Sequence, residues 1–148
     1  MGNVSRFLKE NMVKKENVFL PVSSDILDEN GNVALWEIRH LSTEEFDKIK
    51  DECTKEVEVR TGKHKRTSMY RQQVDSTMFS KKLICASIVE PNLYDATIQD
   101  SFGVMTPEEL ITKLIPTPGE YNELLAFIQE LNKFTETFED KVEDVKNA

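Results

Sequence analysis

VFLPVSSDILDENGNVALWEIRHLSTEEFDKIKDEC, residues 18–53, carries the two periodicities that decide the fold. Its first half alternates. In 33–39, Val33, Leu35 and Glu37 fall on one face and Ala34, Trp36 and Ile38 on the other, as a half-buried strand requires. The upstream run 18–26 also reads as a strand, but Pro21 cannot donate to a ladder and confines it to a sheet edge or an irregular segment. Between the two lies Asn30-Gly31, the strongest short hairpin signal. Residues 18–39 are therefore expected to form a β-hairpin. Two strands alone are marginal in water, so one face must pack on helices.

The period changes at Ser42. Ser42-Thr43-Glu44-Glu45 has the form of a capping box, with Leu41 and Phe46 spaced as a hydrophobic staple, and it opens a helix to about Cys53. Thr106-Pro107-Glu108-Glu109 repeats the device, with Met105 and Leu110 as the expected staple pair and a helix to about 115. Thr117-Pro118-Gly119-Glu120 repeats it again. Tyr121, Leu124, Leu125, Ile128 and Leu131 then follow the i, i+3, i+4, i+7 template to about Asn132.

A further helix is expected over about 75–90. Its second half, LICASIV (83–89), is apolar nearly all round, which marks the central core helix, and Pro91 ends it. Asn92 is expected to cap a short helical segment that stops near Gly103. Residues 3–12 read as a short helix with Val4, Phe7 and Leu8 on one side. The expected fold is α+β and mainly α-helical: an N-terminal β-hairpin packed on four to five helices in a single domain over 1–132. Residues 133–148 are expected to be an acidic C-terminal tail, a helical extension or disordered.

The 148 residues include 27 acidic and 19 basic side chains, a net charge of −8. One domain fits this length, and a chain of this size buries enough surface to fold without a disulfide or a metal. No apolar run approaches the roughly 20 residues of a membrane helix, and the start of the chain lacks the apolar core of a signal peptide. The two cysteines, Cys53 and Cys85, match no disulfide or zinc framework and are read as small buried hydrophobes. The expectation is a reduced, cytoplasmic protein.

Chemistry-bearing patterns are scarce. His40 and His64 stand apart in sequence, with none of the clustering a metal site needs. Thr61-Gly62-Lys63 lacks both the earlier glycine and the following Ser or Thr of a phosphate loop. No G-x-S-x-G elbow occurs, and most carboxylates fall in helix first turns. No enzyme, cofactor or metal is expected. Residues 60–71 hold Arg60, Lys63, Lys65, Arg66 and Arg71 without an acid. They read first as a solvated loop between two helices. The alternatives are a grip on a nucleic-acid backbone or a patch for an acidic protein partner.

The stretch from Val89 to Asn132 reads VEPNLYDATIQDSFGVMTPEELITKLIPTPGEYNELLAFIQELN. It resembles the signature of the XkdN-like phage tail assembly chaperones of the PBSX prophage type. That pattern has a core helix ending V-x-P-N-L, an L-Q-D-S-Y-G-V-M-like stretch, a leucine-rich helix and then P-G-E-Y. Here these fall at Val89 with Pro91 to Leu93, at Ile98 to Met105, and at Pro118 to Tyr121. Trp36 to Arg39 and Cys53 to Lys55 resemble the family's W-E-I-R and C-T-K pieces. Phe102 departs from the usual Tyr, and residues 133–148 lie beyond the likeness, which covers about 5–132.

The resemblance implies a non-enzymatic assembly factor that binds the tape measure protein, recruits tail tube protein in the host cytoplasm, and leaves before the tail is complete. Self-association into a homo-oligomer is a further expectation, and a nucleic-acid partner is not expected. A holdase needs a face that accepts amphipathic helices and a charged remainder that keeps the complex soluble. Met69, Met78, Met105, Phe127, Phe134 and Phe138 are candidate adaptable contacts. Of these, Met78, Met105 and Phe127 are read first as core. Phe134 and Phe138 continue the 127/131 stripe and are expected to meet a second copy or a client. They join Arg60, Lys63, Lys65 and Arg66 as the candidate partner-binding residues.

Overall fold

Trp36 and Ile38 mark the inward face of the central strand in the computed structural model, which describes residues 3–59 and 69–133. Strand β2 (Leu35–Ile38) pairs antiparallel with β1 (Val18–Pro21), placing Val18 opposite Ile38 and Leu20 opposite Trp36. Alternation does the rest: Trp36 and Ile38 are fully buried, while Leu35 and Phe19 face solvent. β1 is the edge strand that Pro21 demands. The connection closes through a Leu27–Val33 bridge, so its turn is longer than a two-residue hairpin. Asp28 Oδ1 accepts from the N–H groups of Asn30 (2.8 Å) and Asn32 (3.0 Å), and Gly31 supplies φ +83°.

Helix α1 (Thr43–Glu52) starts at the capping box: the Glu45 N–H donates to Ser42 Oγ, and the Ser42 N–H to the Glu45 carboxylate, both at 3.1 Å. Leu41 and Phe46, the staple pair, both pack against the core. Two strands then follow that the sequence reading did not name, β3 (Thr54–Val59) and β4 (Met69–Val74), the second beginning inside the 60–71 stretch read as a solvated loop. They form a separate two-stranded ribbon in continuous register from Thr54–Val74 to Val59–Met69. Its base is closed by the Asp75 N–H donating to the Cys53 carbonyl at 2.8 Å.

Asp75 also caps α2 (Ser76–Ser87) by accepting from the Met78 N–H at 3.2 Å. This is the central helix, touching α1 and, further along the chain, α4 (Pro107–Leu114) and α5 (Pro118–Leu131). It ends earlier than expected. Residues Ile88–Glu90 leave it as β5, which completes the sheet in the order β1-β2-β5, with Ile88 opposite Ile38. An unbroken apolar run does not distinguish helix from buried strand, and here the free edge of β2 decides.

Helix α3 (Ala96–Phe102) is capped by Asp95, not by Asn92, which instead holds the Tyr94 N–H in a tight turn. Gly103 in the left-handed region ends α3 as expected. Thr106 caps α4 through the Glu109 N–H at 3.2 Å, with Pro107 in the first turn. The staple expected there is not made: Met105 is 87 % exposed, because Val104 takes the inward position after the Gly103 turn and the next residue faces out. Residues 3–12 form two short 3₁₀ turns, Val4–Phe7 and Lys9–Asn11, rather than a packed helix, and Phe7 is 81 % exposed.

The core gathers Trp36 and Ile38 from the sheet, Leu83 and Ile84 from α2, Leu110 and Ile111 from α4, and Leu124 and Ile128 from α5. Phe46 and Phe79 meet edge-to-face at 5.4 Å, tying α1 to α2. The α+β, mainly helical architecture expected from the sequence is the one observed.

Candidate partner-binding groove

Two prolines shape an apolar groove on the molecule's helical side. Helix α4 gives out at Ile115, and Pro116-Thr117-Pro118 turns the chain into α5. Neither proline has an N–H to offer, so this turn presents apolar rings and few donors. The start of α2 faces it. Ser76, Thr77, Ser80 and Lys81 from α2, Thr112, Ile115 and Pro116 from the end of α4, and Pro118, Tyr121, Asn122 and Leu125 from α5 together line a groove of about 530 Å³. No carboxylate lines it, in a chain of net charge −8. Tyr121 and Leu125 are half-buried and pack on the core, and burial pushes the Tyr121 hydroxyl up from its ordinary pKa. An open, apolar slot between helices with one cation at its rim suits the apolar stripe of an amphipathic helix.

The orientation of α5 is set at its two ends. Thr117 does not cap its helix with its side chain, contrary to the repeated-device reading. Glu120, which would complete that box, instead accepts from the Ser24 N–H (3.0 Å) and hydroxyl (3.1 Å). At the other end Asn132 Oδ1 accepts from the Leu41 N–H at 2.9 Å. Both ends of α5 are thereby tied to the segments flanking the sheet.

A larger cleft of about 670 Å³ lies beside it, over α2 and α4, but its walls carry both signs of charge: Lys81, Lys82 and Lys113 with Glu108 and Glu109. Lys82 bridges Glu52 (3.6 Å) and Glu108 (3.5 Å), stapling α1, α2 and α4. Burial alone would lower the Lys82 pKa, yet the attraction of Glu108 and Glu52 outweighs it and the value is raised. Lys82, Glu52 and Glu108 satisfy one another, so this part of the cleft is an ionic clasp.

Arg60, Lys63, Lys65, Arg66, His64, Phe134 and Phe138 lie outside the described residues, as does the side chain of Met69. The ribbon that leads toward residues 60–68 exposes most of its side chains, among them Lys55, Glu56, Glu58, Tyr70 and Arg71. Met78 is at the surface, Met105 is wholly outside the core and Phe127 packs against it. Cys53 and Cys85 are buried free thiols, and burial pushes Cys85 up to about 12. His40 is half-buried with Nδ1 enclosed and unpartnered among the described residues. Among those residues no three metal-ligating side chains converge, and no helix is long and apolar enough to cross a membrane. Sequence reasoning missed the groove. The signal was the Ile115-Pro116-Thr117-Pro118 run, where two amphipathic helices meet across a break too short to separate them.

The family model of the phage XkdN-like tail assembly chaperone protein matches residues 4–146. The phage-like element PBSX protein XkdN of Bacillus subtilis strain 168 is 24 % identical over 145 residues, covering 98 % of this chain and 94 % of its own. YqbN of the same strain is 26 % identical over 145 residues, covering 98 % of this chain and 93 % of its own. A crystal structure of the protein YqbN superposes with a TM-score of 0.71 at 20 % identity, over 90 % of this chain and 98 % of that one, which shows a shared fold. The family match extends past residue 132, where the likeness legible in the sequence stops, and takes in most of the C-terminal segment. The chain belongs to the XkdN-like family of phage tail assembly chaperones.

Proposed function

We propose that this tail assembly chaperone is a holdase for the tape measure protein, seating amphipathic helices of that client in the α2/α4/α5 groove. It acts in the host cytoplasm, presents the loaded client to tail tube protein, and leaves before the tail is finished. The carrying observation is the groove itself: Ile115, Pro116, Pro118, Tyr121 and Leu125 offer an apolar surface without a carboxylate, on a protein of net charge −8. Apolar contact gives affinity for long helical clients that would otherwise aggregate, and the net negative charge keeps the complex dispersed. Nothing in the groove's chemistry calls for a covalent step, so binding and release are the whole of its mechanism.

Co-expression with the tape measure protein from the same gene cluster tests this. The expected result is a tape measure protein that stays soluble and elutes with the chaperone. A client that remains insoluble and unbound, with tail tube protein equally unaffected, would overturn the reading.

A further inference from the structure

Val4, Phe7, Leu8, Met12 and Val13 crowd the segment ahead of β1, and all five are exposed. The two 3₁₀ turns of that segment bury no residue. It is also basic, with Arg6, Lys9, Lys14 and Lys15 against Glu10 and Glu16. None of the four cations forms an ion pair with a described residue. A second bare apolar surface lies on the face of the β1-β2-β5 sheet opposite to the buried face of Trp36 and Ile38. Phe19, Glu37 and Glu90 form one row across it, Pro21 and Leu35 the next, and Val89 occupies the bulge beside Glu90. Phe19 is 61 % exposed and Leu35 60 %. We infer that the arm of residues 4–15 from one copy of the chain covers this face on a second copy, reciprocally, in a two-fold dimer.

Three observations carry it. Within one chain neither surface covers the other: Asn17 Nδ2 anchors the foot of the arm by donating to Glu37 at 2.7 Å, yet Phe7 beyond it stays 81 % exposed and Phe19 remains bare. Charge matches. Glu37 and Glu90 stand opposite each other on neighbouring strands, where like charges repel. Glu90 has no ion-pair partner among the described residues, Glu37 is met only by neutral Asn17, and Arg39, just past β2, is committed to Glu45. A basic arm relieves that repulsion and is oriented by it. Area suffices as well. Phe7 and Phe19 of the two copies remove on the order of 500 Å² from water. Val4, Leu8, Met12, Val13 and Leu35 of each copy then carry the total past the roughly 1,000 Å² that a specific interface needs.

The test is sedimentation equilibrium of the full-length chain across the micromolar range, with an arm variant, Phe7→Ser, and a face variant, Leu35→Lys. Both positions are exposed, so both variants should melt as wild type does. The expected result is a wild-type dimer whose dissociation constant rises about tenfold or more in each variant. An equimolar mixture of the two variants should associate more tightly than either alone, because the mixed pair keeps one intact arm on one intact face. A wild-type chain that stays monomeric throughout would overturn the inference, as would a dimer that neither variant weakens. A mixture no tighter than its components would also overturn it, since arm-on-arm or face-on-face contact gives no such rescue. No client takes part, so failure here is distinct from failure of the holdase reading.

Discussion

Glu120 and Ser24 are joined by two hydrogen bonds across 96 positions of sequence: Oε2 accepts from the Ser24 N–H and Oε1 from its hydroxyl. The pair pins the first turn of α5, which bears one wall of the groove, to the segment that follows β1. Charge-assisted bonds of this kind contribute about 1–2 kcal/mol, less where solvent competes. Glu120→Ala should therefore lower stability in urea by about 1 kcal/mol. In a double-mutant cycle with Ser24→Ala the two changes should be sub-additive. Full additivity would mean that the pair does not hold α5 in place.

The Arg39–Glu45 ion pair makes stability pH-dependent. The Arg39 guanidinium, donating to the Glu45 carboxylate, is the chief reason that this carboxyl falls from 4.5 to about 2. A carboxyl lowered on folding stabilises the native state above its unfolded pKa, and that stabilisation is lost as the pH falls from about 4.5 toward about 2. The Glu45 side chain is 40 % exposed, so screening limits the effect to about 1 kcal/mol or less. Urea midpoints measured from pH 5 to pH 2.5 should fall more steeply for wild type than for Glu45→Gln. Parallel curves would count against the pair.

Trp36 and Met105 should respond oppositely to truncation. Trp36 is the chain's single tryptophan and is buried at the centre of the sheet, so Trp36→Ala should cost about 3–5 kcal/mol. Met105 stands in solvent, so Met105→Ser should stay within about 0.5 kcal/mol. A large loss at Met105 would show that it packs as the staple the sequence suggested.

Neither thiol should react in the native protein. Cys85 is held up at about 12 and Cys53 is raised too, each by burial first. A thiol reagent at pH 8 is expected to label both only after denaturation. Prompt labelling of the folded chain would contradict the packing of α2.

What was legible in the sequence was local. The Ser42–Glu45 box, the Thr106 cap and the α5 stripe are each set by residues within about three turns of one helix, and each helix appears where its signal stands. The misses are non-local. Thr54–Val59 alternates but is half charged, and it becomes a strand only because Met69–Val74 returns beside it. Ile88 leaves its helix for a partner at Ile38, fifty positions upstream. Thr117 goes without its box because Glu120 answers to Ser24. The groove belongs to the same class, since its walls come from three helices and no short pattern records their meeting.

The claim that the α2/α4/α5 groove holds the client is tested most directly by co-purification of the tape measure protein with three full-length chains at high salt: wild type, Leu125→Lys and Asn122→Lys. Leu125 is half-buried, whereas Asn122 is an exposed rim position, so the second variant keeps the fold while placing a charge in the slot. Apolar binding survives salt that screens charges. The account predicts that wild type retains the tape measure protein at high salt and that both variants lose it while melting as folded proteins. Retention by the Asn122→Lys chain equal to that of wild type would contradict it.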